Sequence, residues 1–219
     1  MLSQEILEGF KAFDSATIFN AVVKKLGLPN EDYTDHRIRC LLPDTGPVVG
    51  YAVTAEVTTN DADSVAAPWE DYYEALHRTE GPVVAVLRDV DSRPGRGASF
   101  GDGMARLHKK LGTVGVLVEG TVRDLAGIGE VGLPVWAWGT VPGHGVFCVT
   151  RVGGPVTVGS MRVRSGDLIF ADGDGAVRIQ EEYAEEVLQL AAEVRAFEAE
   201  VFAQYEAEDF TFEKWKASR

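Results

Sequence analysis

Apolar residues recur every three or four positions near both ends of the chain, which is the spacing of amphipathic helices. Residues 1–28 predict two short helices, the second capped by Asp14 or Ser15 and ended by Gly27. Residues 180–208 predict a long helix whose apolar stripe packs on the body and whose opposite face is acidic. In the tail that follows, aromatic and polar residues alternate, which fits either a contact with a neighbouring subunit or a partly ordered terminus.

The central part of the chain alternates between strand and helix patterns. Residues 48–59, 83–87, 114–118 and 134–138 are apolar and rich in β-branched residues, and helical segments lie between them. From residue 146 onward, short β segments are separated by glycine turns, which predicts an antiparallel or mixed patch folded back on the α/β layer. The sequence therefore predicts a layered α/β fold. We expect one domain over residues 1–219, with a helical N-terminus at 1–28 and a C-terminal helix and tail at 181–219.

Composition narrows the class of protein. With 219 residues, 45% of them hydrophobic, the chain is long enough for a substantial core. A net charge of −13 disfavours binding to nucleic acid and to anionic membranes, so an anionic substrate would need local cations or a metal. Neither a long apolar run nor a secretory signal is present, and we expect the cytoplasm. Cys40 and Cys148 form no zinc-binding pattern and are expected to be buried thiols.

Candidate chemistry is concentrated in residues 95–124. A glycine-rich segment leads into a helix starting at Asp102, and the strand after that helix ends in a loop carrying Arg123 and Asp124. In layered α/β domains, the loop before a helix can lie close to the loop after the next strand. We therefore expect Asp102, Arg123 and Asp124 to face one small volume, together with the amides of residues 101–104.

The glycine-rich segment allows three kinds of site. A Walker loop is excluded because no Gly-Lys-Ser/Thr follows. A dinucleotide fingerprint fits poorly, since roughly ten residues separate the strand end near Arg88 from the helix, where that motif needs a tight turn. A carboxylate site fits helix amides, an arginine and an aspartate suited to Mg²⁺. On the residues alone, a purely structural role stays equally open, with Asp102 as a helix cap and Arg123–Asp124 as a surface pair.

The spacing of these residues resembles a known family. Gly101-Asp102, twenty further positions and Arg123-Asp124 resemble the G-D-x20-R-D motif of the class II pyruvate aldolases of the RraA-like family, typified by 4-hydroxy-4-methyl-2-oxoglutarate aldolase. The segments TIFNAV, VVGYAVT, VGVLVEGTVRD and SGDLIFADGDGAVRI also resemble family segments. Asn20 and Glu119 stand where the family usually has Asp.

This resemblance implies a structure and a set of roles. The fold would be an α/β sandwich of the swivelling β/β/α type with a long C-terminal helix, assembled as homotrimers or homohexamers with the active site at the subunit interface. Asp124 would bind Mg²⁺ or Mn²⁺ directly and Asp102 through water, and both Asp102 and Arg123 would act in catalysis. Gly101, Asp102, Gly103, Met104 and Arg123 would hold the substrate. A neighbouring subunit would supply a glutamate, for which Glu198 is the best match and Glu200 lies nearby.

The implied activity is a metal-dependent cleavage of 2-oxo acids. Breaking the C3–C4 bond of 4-hydroxy-4-methyl-2-oxoglutarate would yield two pyruvates, with the metal and Arg123 stabilising the pyruvate enolate and a held water moving the protons. Decarboxylation of oxaloacetate needs the same enolate. His108 is expected to point elsewhere. The alternative is a non-catalytic regulatory protein, because some family members are described as ribonuclease regulators that lack the full motif. The presence of both Asp102 and Asp124 favours the enzyme.

Overall fold

A mixed eight-stranded sheet forms the centre of the fold in the computed structural model, which describes residues 1–217. Ser218 and Arg219, which belong to the predicted tail, lie outside the described residues. The strands in chain order are β1 (Arg39–Cys40), β2 (Val48–Thr58), β3 (Val83–Asp89), β4 (Ala98–Phe100), β5 (Thr113–Glu119), β6 (Thr121–Val122), β7 (Val135–Ala137), β8 (Gly139–Thr140), β9 (Cys148–Val152), β10 (Val156–Val158), β11 (Met161–Val163), β12 (Leu168–Asp172) and β13 (Gly175–Ile179). The helices are α1 (Gln4–Phe10), α2 (Ser15–Leu26), α3 (Trp69–Arg78), α4 (Asp102–Lys110), α5 (Leu125–Val131), α6 (Ala184–Tyr205) and α7 (Phe212–Ala217).

The large sheet combines parallel and antiparallel pairing. Its order is β1-β7-β5-β3-β2-β12-β13, with β9 pairing to the second half of β2. The four strands β2, β3, β5 and β7 are parallel to one another, as expected where helices connect them, and the flanking strands are antiparallel. The predicted β/α alternation is thus confirmed. Of the late β segments, β9, β12 and β13 extend the same sheet, and β10 and β11 form a separate hairpin.

Different layers cover the two faces of this sheet. In β2, Val49, Tyr51 and Val53 belong to the two clusters that the helices cover. Val48 and Ala52, of opposite parity, pack instead in a third cluster beneath the β10–β11 hairpin. Hairpin, sheet and helices therefore form three layers, which confirms the β/β/α sandwich.

A second, smaller sheet positions the candidate chemistry. It contains the parallel strands β4, β6 and β8, paired in that order. Parallel strands bring their carboxyl ends to the same edge of a sheet, where ligand sites of α/β proteins commonly lie. The residues directly after these strands, Gly101, Arg123 and Val141, therefore begin three neighbouring loops.

The terminal helices pack together on the β12–β13 side of the sheet. The carboxylate of Asp14 accepts a hydrogen bond from the Thr17 amide at 2.7 Å, and Gly27 ends α2 with φ 85°, which confirms both predicted boundaries. Helix α6 packs against α2 and pairs Arg195 with Asp14 at 2.6 Å. No helix within residues 1–217 has the length and apolar character needed to cross a bilayer.

The two cysteines are less enclosed than expected. Cys40 and Cys148 are both half-buried free thiols, and desolvation raises the pKa of each. Cys40 lies on the edge strand β1 and Cys148 opens β9, and an edge or terminal position covers a side chain on fewer sides than the sheet interior does.

Candidate active site

The loops after β4 and β6 meet at one cavity. The Arg123 amide donates to the Phe100 carbonyl at 2.9 Å, which fixes the second loop against the end of β4. The cavity measures about 250 Å³ and is lined by Ala98, Phe100, Gly101, Asp102, Gly103, Met104, Arg123, Asp124, His144 and Phe147. Every site residue predicted from the sequence lines it except Glu198.

Helix α4 directs its N-terminus into this cavity wall. Gly101 is the N-cap, so no side chain in residues 1–217 caps the helix there. The first helical hydrogen bond runs from the Ala105 amide to the Gly101 carbonyl at 3.0 Å, and the amides of residues 102–104 precede it. Asp102 is the first helical residue, so its alternative interpretation as the cap is wrong. The amides stay available to an anion.

Close packing against α5 holds Asp102 in place. A Cβ added to Gly127 would lie 2.7 Å from Oδ2 of Asp102 and 2.8 Å from its Cβ, so any larger residue would displace the aspartate. On the other side, Nη2 of Arg106 lies 3.5 Å from the same Oδ2. The Asp102 carboxylate is therefore held between α5 and the Arg106 side chain of α4, and its side chain is 38% exposed.

Arg123 and Asp124 form a pair at the start of α5. Nε of Arg123 lies 3.0 Å from Oδ2 of Asp124, and the two side chains remain 39% and 44% exposed, enough for a ligand to reach both. Asp124 adopts the left-handed conformation (φ 55°, ψ 39°), yet its carboxylate makes no capping bond to α5 within the described chain. Glycine at 101 allows this arrangement, because a Cβ there would come within 3.2 Å of Oδ2 of Asp124.

The carboxylates fit one class of metal. Within residues 1–217, no group of three or more His, Cys, Asp or Glu side chains is arranged to hold a metal. Two partly exposed aspartates at one cavity instead match Mg²⁺, which takes one or two protein carboxylates and retains several waters. Mn²⁺ prefers the same oxygen ligands. Asp124 and Asp102 are the residues that would hold such an ion.

Three residues singled out from the sequence lie elsewhere in this subunit. Glu198 is half-buried on α6, outside the residues that line the cavity. Oε2 of Glu119 accepts from the Gly159 amide at 2.5 Å and so supports the turn of the β10–β11 hairpin. Asn20 is exposed on α2. Both departures from the family pattern are thus outside the cavity.

His108 lies on α4 and is fully buried. Its Nδ1–H donates to the Met104 carbonyl at 2.8 Å, and the Tyr72 hydroxyl donates to its Nε2 at 2.8 Å. Desolvation lowers the pKa of His108 to about 4. The prediction that His108 points away from the site is confirmed.

Sequence reasoning missed His144 altogether. It lies in the loop between β8 and β9 and lines the cavity beside Phe147, with the two rings 5.7 Å apart. Its Nδ1–H donates to the Gly145 carbonyl at 2.9 Å. No spacing signal points to it, because it joins the site through contacts between distant parts of the chain: the parallel pairing of β6 and β8, and the hydrogen bond from the Ala98 amide to the Gly143 carbonyl.

A family model and two relatives among known proteins show the family of this chain. The model described as RraA-like, aldolase/RraA, matches residues 15–178. A Halalkalibacterium halodurans protein named "Putative 4-hydroxy-4-methyl-2-oxoglutarate aldolase" is 30% identical over 156 residues, 71% of this chain and 70% of the relative. A protein of the same name from Alkalilimnicola ehrlichii is 33% identical over 127 residues, 46% of this chain and 76% of the relative.

A solved structure gives the same assignment. The crystal structure of Streptomyces coelicolor RraAS2, described as an unusual member of the RNase ES inhibitor RraA protein family, is similar with a TM-score of 0.73. It is 25% identical and covers 90% of this chain and 96% of its own. This chain therefore resembles both proteins named as aldolases and a protein assigned to a family of RNase inhibitors.

Proposed function

This chain belongs to the RraA-like family, and from that premise we propose that it is a divalent-metal-dependent carbon–carbon lyase. Its substrates would be 2-oxo acids resembling 4-hydroxy-4-methyl-2-oxoglutarate, cleaved to pyruvate, and it would also decarboxylate oxaloacetate. The names of the two aldolase relatives support the general class of reaction.

One observation carries the proposal. Two carboxylates, one guanidinium and an uncapped helix N-terminus converge on a single cavity at the carboxyl ends of β4 and β6. A purely structural Arg–Asp pair would need neither a second half-exposed aspartate nor an aspartate in the left-handed region, whose conformation costs free energy unless the surroundings require it.

Each part of the site has a task in this reaction. A divalent ion held by Asp124 and Asp102 would act as a Lewis acid on the 2-oxo group. Arg123 and the amides of Gly103 and Met104 would bind the C1 carboxylate and stabilise negative charge as it develops on the substrate. The amides are held by helix α4 and the Arg123 side chain lies against Asp124, so little reorganisation is needed when the charge appears.

Proton movement completes the chemistry. Removal of the C4 hydroxyl proton lets C4=O form as the C3–C4 bond breaks, and the bonding electrons pass into the enolate of pyruvate. A water held by the Asp102 carboxylate would accept that proton and return one to C3. With oxaloacetate, the same bond breaks to release CO₂ and the same enolate is protonated.

The site is open in a single subunit, which supports a shared active site. We place Glu198 of a neighbouring subunit at the open side, in a homotrimer or homohexamer. Helix α6, which carries Glu198, exposes Phe197 and Phe202, and exposed aromatic residues are typical of surfaces that pack against another chain.

Pyruvate release tests this proposal. The protein, freed of metal with EDTA and resupplied with Mg²⁺ or Mn²⁺, is expected to release pyruvate from 4-hydroxy-4-methyl-2-oxoglutarate and from oxaloacetate faster than an enzyme-free control with the same metal, and EDTA is expected to reduce the release to the enzyme-free background. A protein that is inert with both metals on both substrates would overturn it. Inhibition of a ribonuclease by that inert protein would then favour the regulatory alternative, to which the RraAS2 similarity points.

A further inference from the structure

A second cavity of about 350 Å³ adjoins the first and shares His144 with it. Its lining residues are Asn60, Arg96, Val141, Pro142, Gly143, His144 and Gly145. We propose that this cavity binds the distal carboxylate of a dicarboxylic 2-oxo acid and that Arg96 determines this specificity. The inference rests on the proposed function and assigns the residue that would select its dicarboxylic substrates.

The frame of the second cavity is fixed by backbone hydrogen bonds. The Ala98 amide donates to the Gly143 carbonyl at 2.9 Å, and the Gly145 amide donates to the Thr59 carbonyl at 2.8 Å. The loop bearing His144 is therefore tied at one end to β4, which leads into Gly101, and at the other to the end of β2. These hydrogen bonds fix the position of the second cavity relative to the first.

Two glycines hold Asn60 in the wall. A Cβ on Gly97 would lie 3.0 Å from Nδ2 of Asn60, and a Cβ on Gly145 would lie 2.9 Å from its Oδ1. The Asn60 amide donates to Asp91, and Nδ2 donates one hydrogen to Oγ1 of Thr59 at 2.9 Å. The second N–H of the carboxamide is left for a ligand.

Arg96 supplies the charge that a distal carboxylate needs. Its side chain is exposed and, within residues 1–217, forms no ion pair and no side-chain hydrogen bond, although the protein carries a net charge of −13. Arg123, by contrast, is already paired with Asp124 in the first cavity. A guanidinium without a partner at the rim can take both oxygens of a carboxylate.

The two arginines would therefore bind the two ends of one substrate. Arg123 and the α4 amides bind the C1 carboxylate next to the reacting 2-oxo group, and Arg96 with Asn60 binds the carboxylate beyond the bond that breaks. A 2-oxo acid ending in a methyl group offers no carboxylate to Arg96 and Asn60. The protein would therefore prefer the dicarboxylic acid, because a lost charged hydrogen bond weakens binding about 10- to 100-fold.

Turnover of a matched substrate pair tests the specificity. 4-Hydroxy-2-oxoglutarate yields pyruvate and glyoxylate, whereas 4-hydroxy-2-oxopentanoate, with methyl in place of the distal carboxylate, yields pyruvate and acetaldehyde. With Mg²⁺, Arg96→Ala is expected to lower kcat/KM for the first about 10- to 100-fold and to leave the second unchanged. Arg93→Ala, an exposed arginine of the same loop outside both cavities, is the matched control.

A binding measurement separates this inference from the reaction itself. In calorimetry with Mg²⁺, wild type is expected to prefer 2-oxoglutarate over 2-oxopentanoate, and Arg96→Ala to lose the preference. If turnover is absent but this Arg96-dependent preference holds, the subsite stands and the proposed reaction fails. If turnover is present but Arg96→Ala affects both substrates equally or neither, the subsite is overturned and the reaction stands. Absence of any preference in wild type overturns the subsite as well.

Discussion

Nε of Arg123 lies 3.0 Å from Oδ2 of Asp124, and the backbone of that aspartate is left-handed with φ 55°. The carboxylate makes no capping bond to the helix it precedes within the described chain, so its conformation is not explained by helix stability. Under the proposed function, this conformation is explained by a ligand that both side chains contact.

Asp124→Gly therefore separates stability from activity. Glycine adopts positive φ freely and is tolerated at an N-cap, so the free energy of unfolding is expected to stay within about 1 kcal/mol of wild type or to rise. Pyruvate release is expected to be lost. Urea unfolding and a pyruvate assay on one preparation measure both; a loss of stability above about 2 kcal/mol would assign Asp124 a structural role.

Gly127→Ala tests the packing that positions Asp102. The added methyl would approach Asp102 within 2.7 Å, so the aspartate must move. We expect kcat/KM to fall about 100-fold, as for a displacement near 1 Å at a reacting centre. Gly129→Ala on the same helix meets only Leu42, at 3.6 Å, and serves as the control with unchanged kcat/KM. Equal kcat/KM in both variants would contradict the role of Asp102.

Buried His108 predicts a pH dependence of stability. Its folded pKa of about 4 lies below the ordinary 6.5, so the unfolded chain binds the proton first and stability falls as pH drops through this range. The expected loss between pH 7 and 5 is about 2 kcal/mol. Urea unfolding of His108→Gln should show a correspondingly smaller loss. An identical pH slope in both proteins would show that His108 is not the responsible group.

Mixing inactive variants tests the shared site. Glu198→Gln and Asp124→Asn should each abolish activity. Because one kind of subunit retains Asp124 and the other retains Glu198, random reassembly of equal amounts should restore about a quarter of the wild-type sites. Glu206→Gln, near the end of the same helix, is the active control. No recovery after verified subunit exchange would place both residues in the same subunit or exclude Glu198.

Much of the fold followed from the sequence because its signals are local. The β-branched runs of β2, β3 and β5, the caps of α2 and the periodicity of α6 each lie within a short window. The small sheet was missed, since β4, β6 and β8 are two or three residues long and are defined by pairing between distant segments. That pairing, more than the α4–β5 unit itself, brings the two loops together.

Some residues of the candidate site could likewise be predicted from the sequence and others could not. Asp102, Arg123 and Asp124 belong to a fixed spacing within one segment, so the sequence points to them. His144 and Asn60 reach the site through backbone contacts between loops far apart in the chain, such as Gly145 to Thr59. Arg96 lies within the 95–124 segment, but the second cavity that it lines is formed only when these distant loops meet. A glutamate from another subunit leaves no local pattern that fixes its position, which explains why Glu198 remains a prediction.

The most direct measurement is a metal titration of pyruvate release from oxaloacetate by metal-free wild type and by Asp124→Asn, which keeps the side-chain shape and tolerates positive φ but removes the charge. We expect wild-type activity to rise from the background with Mg²⁺ or Mn²⁺ and to saturate, while Asp124→Asn stays at least about 100-fold lower at every metal concentration. Activity that is independent of metal, or equal in the two proteins, would contradict the proposed lyase.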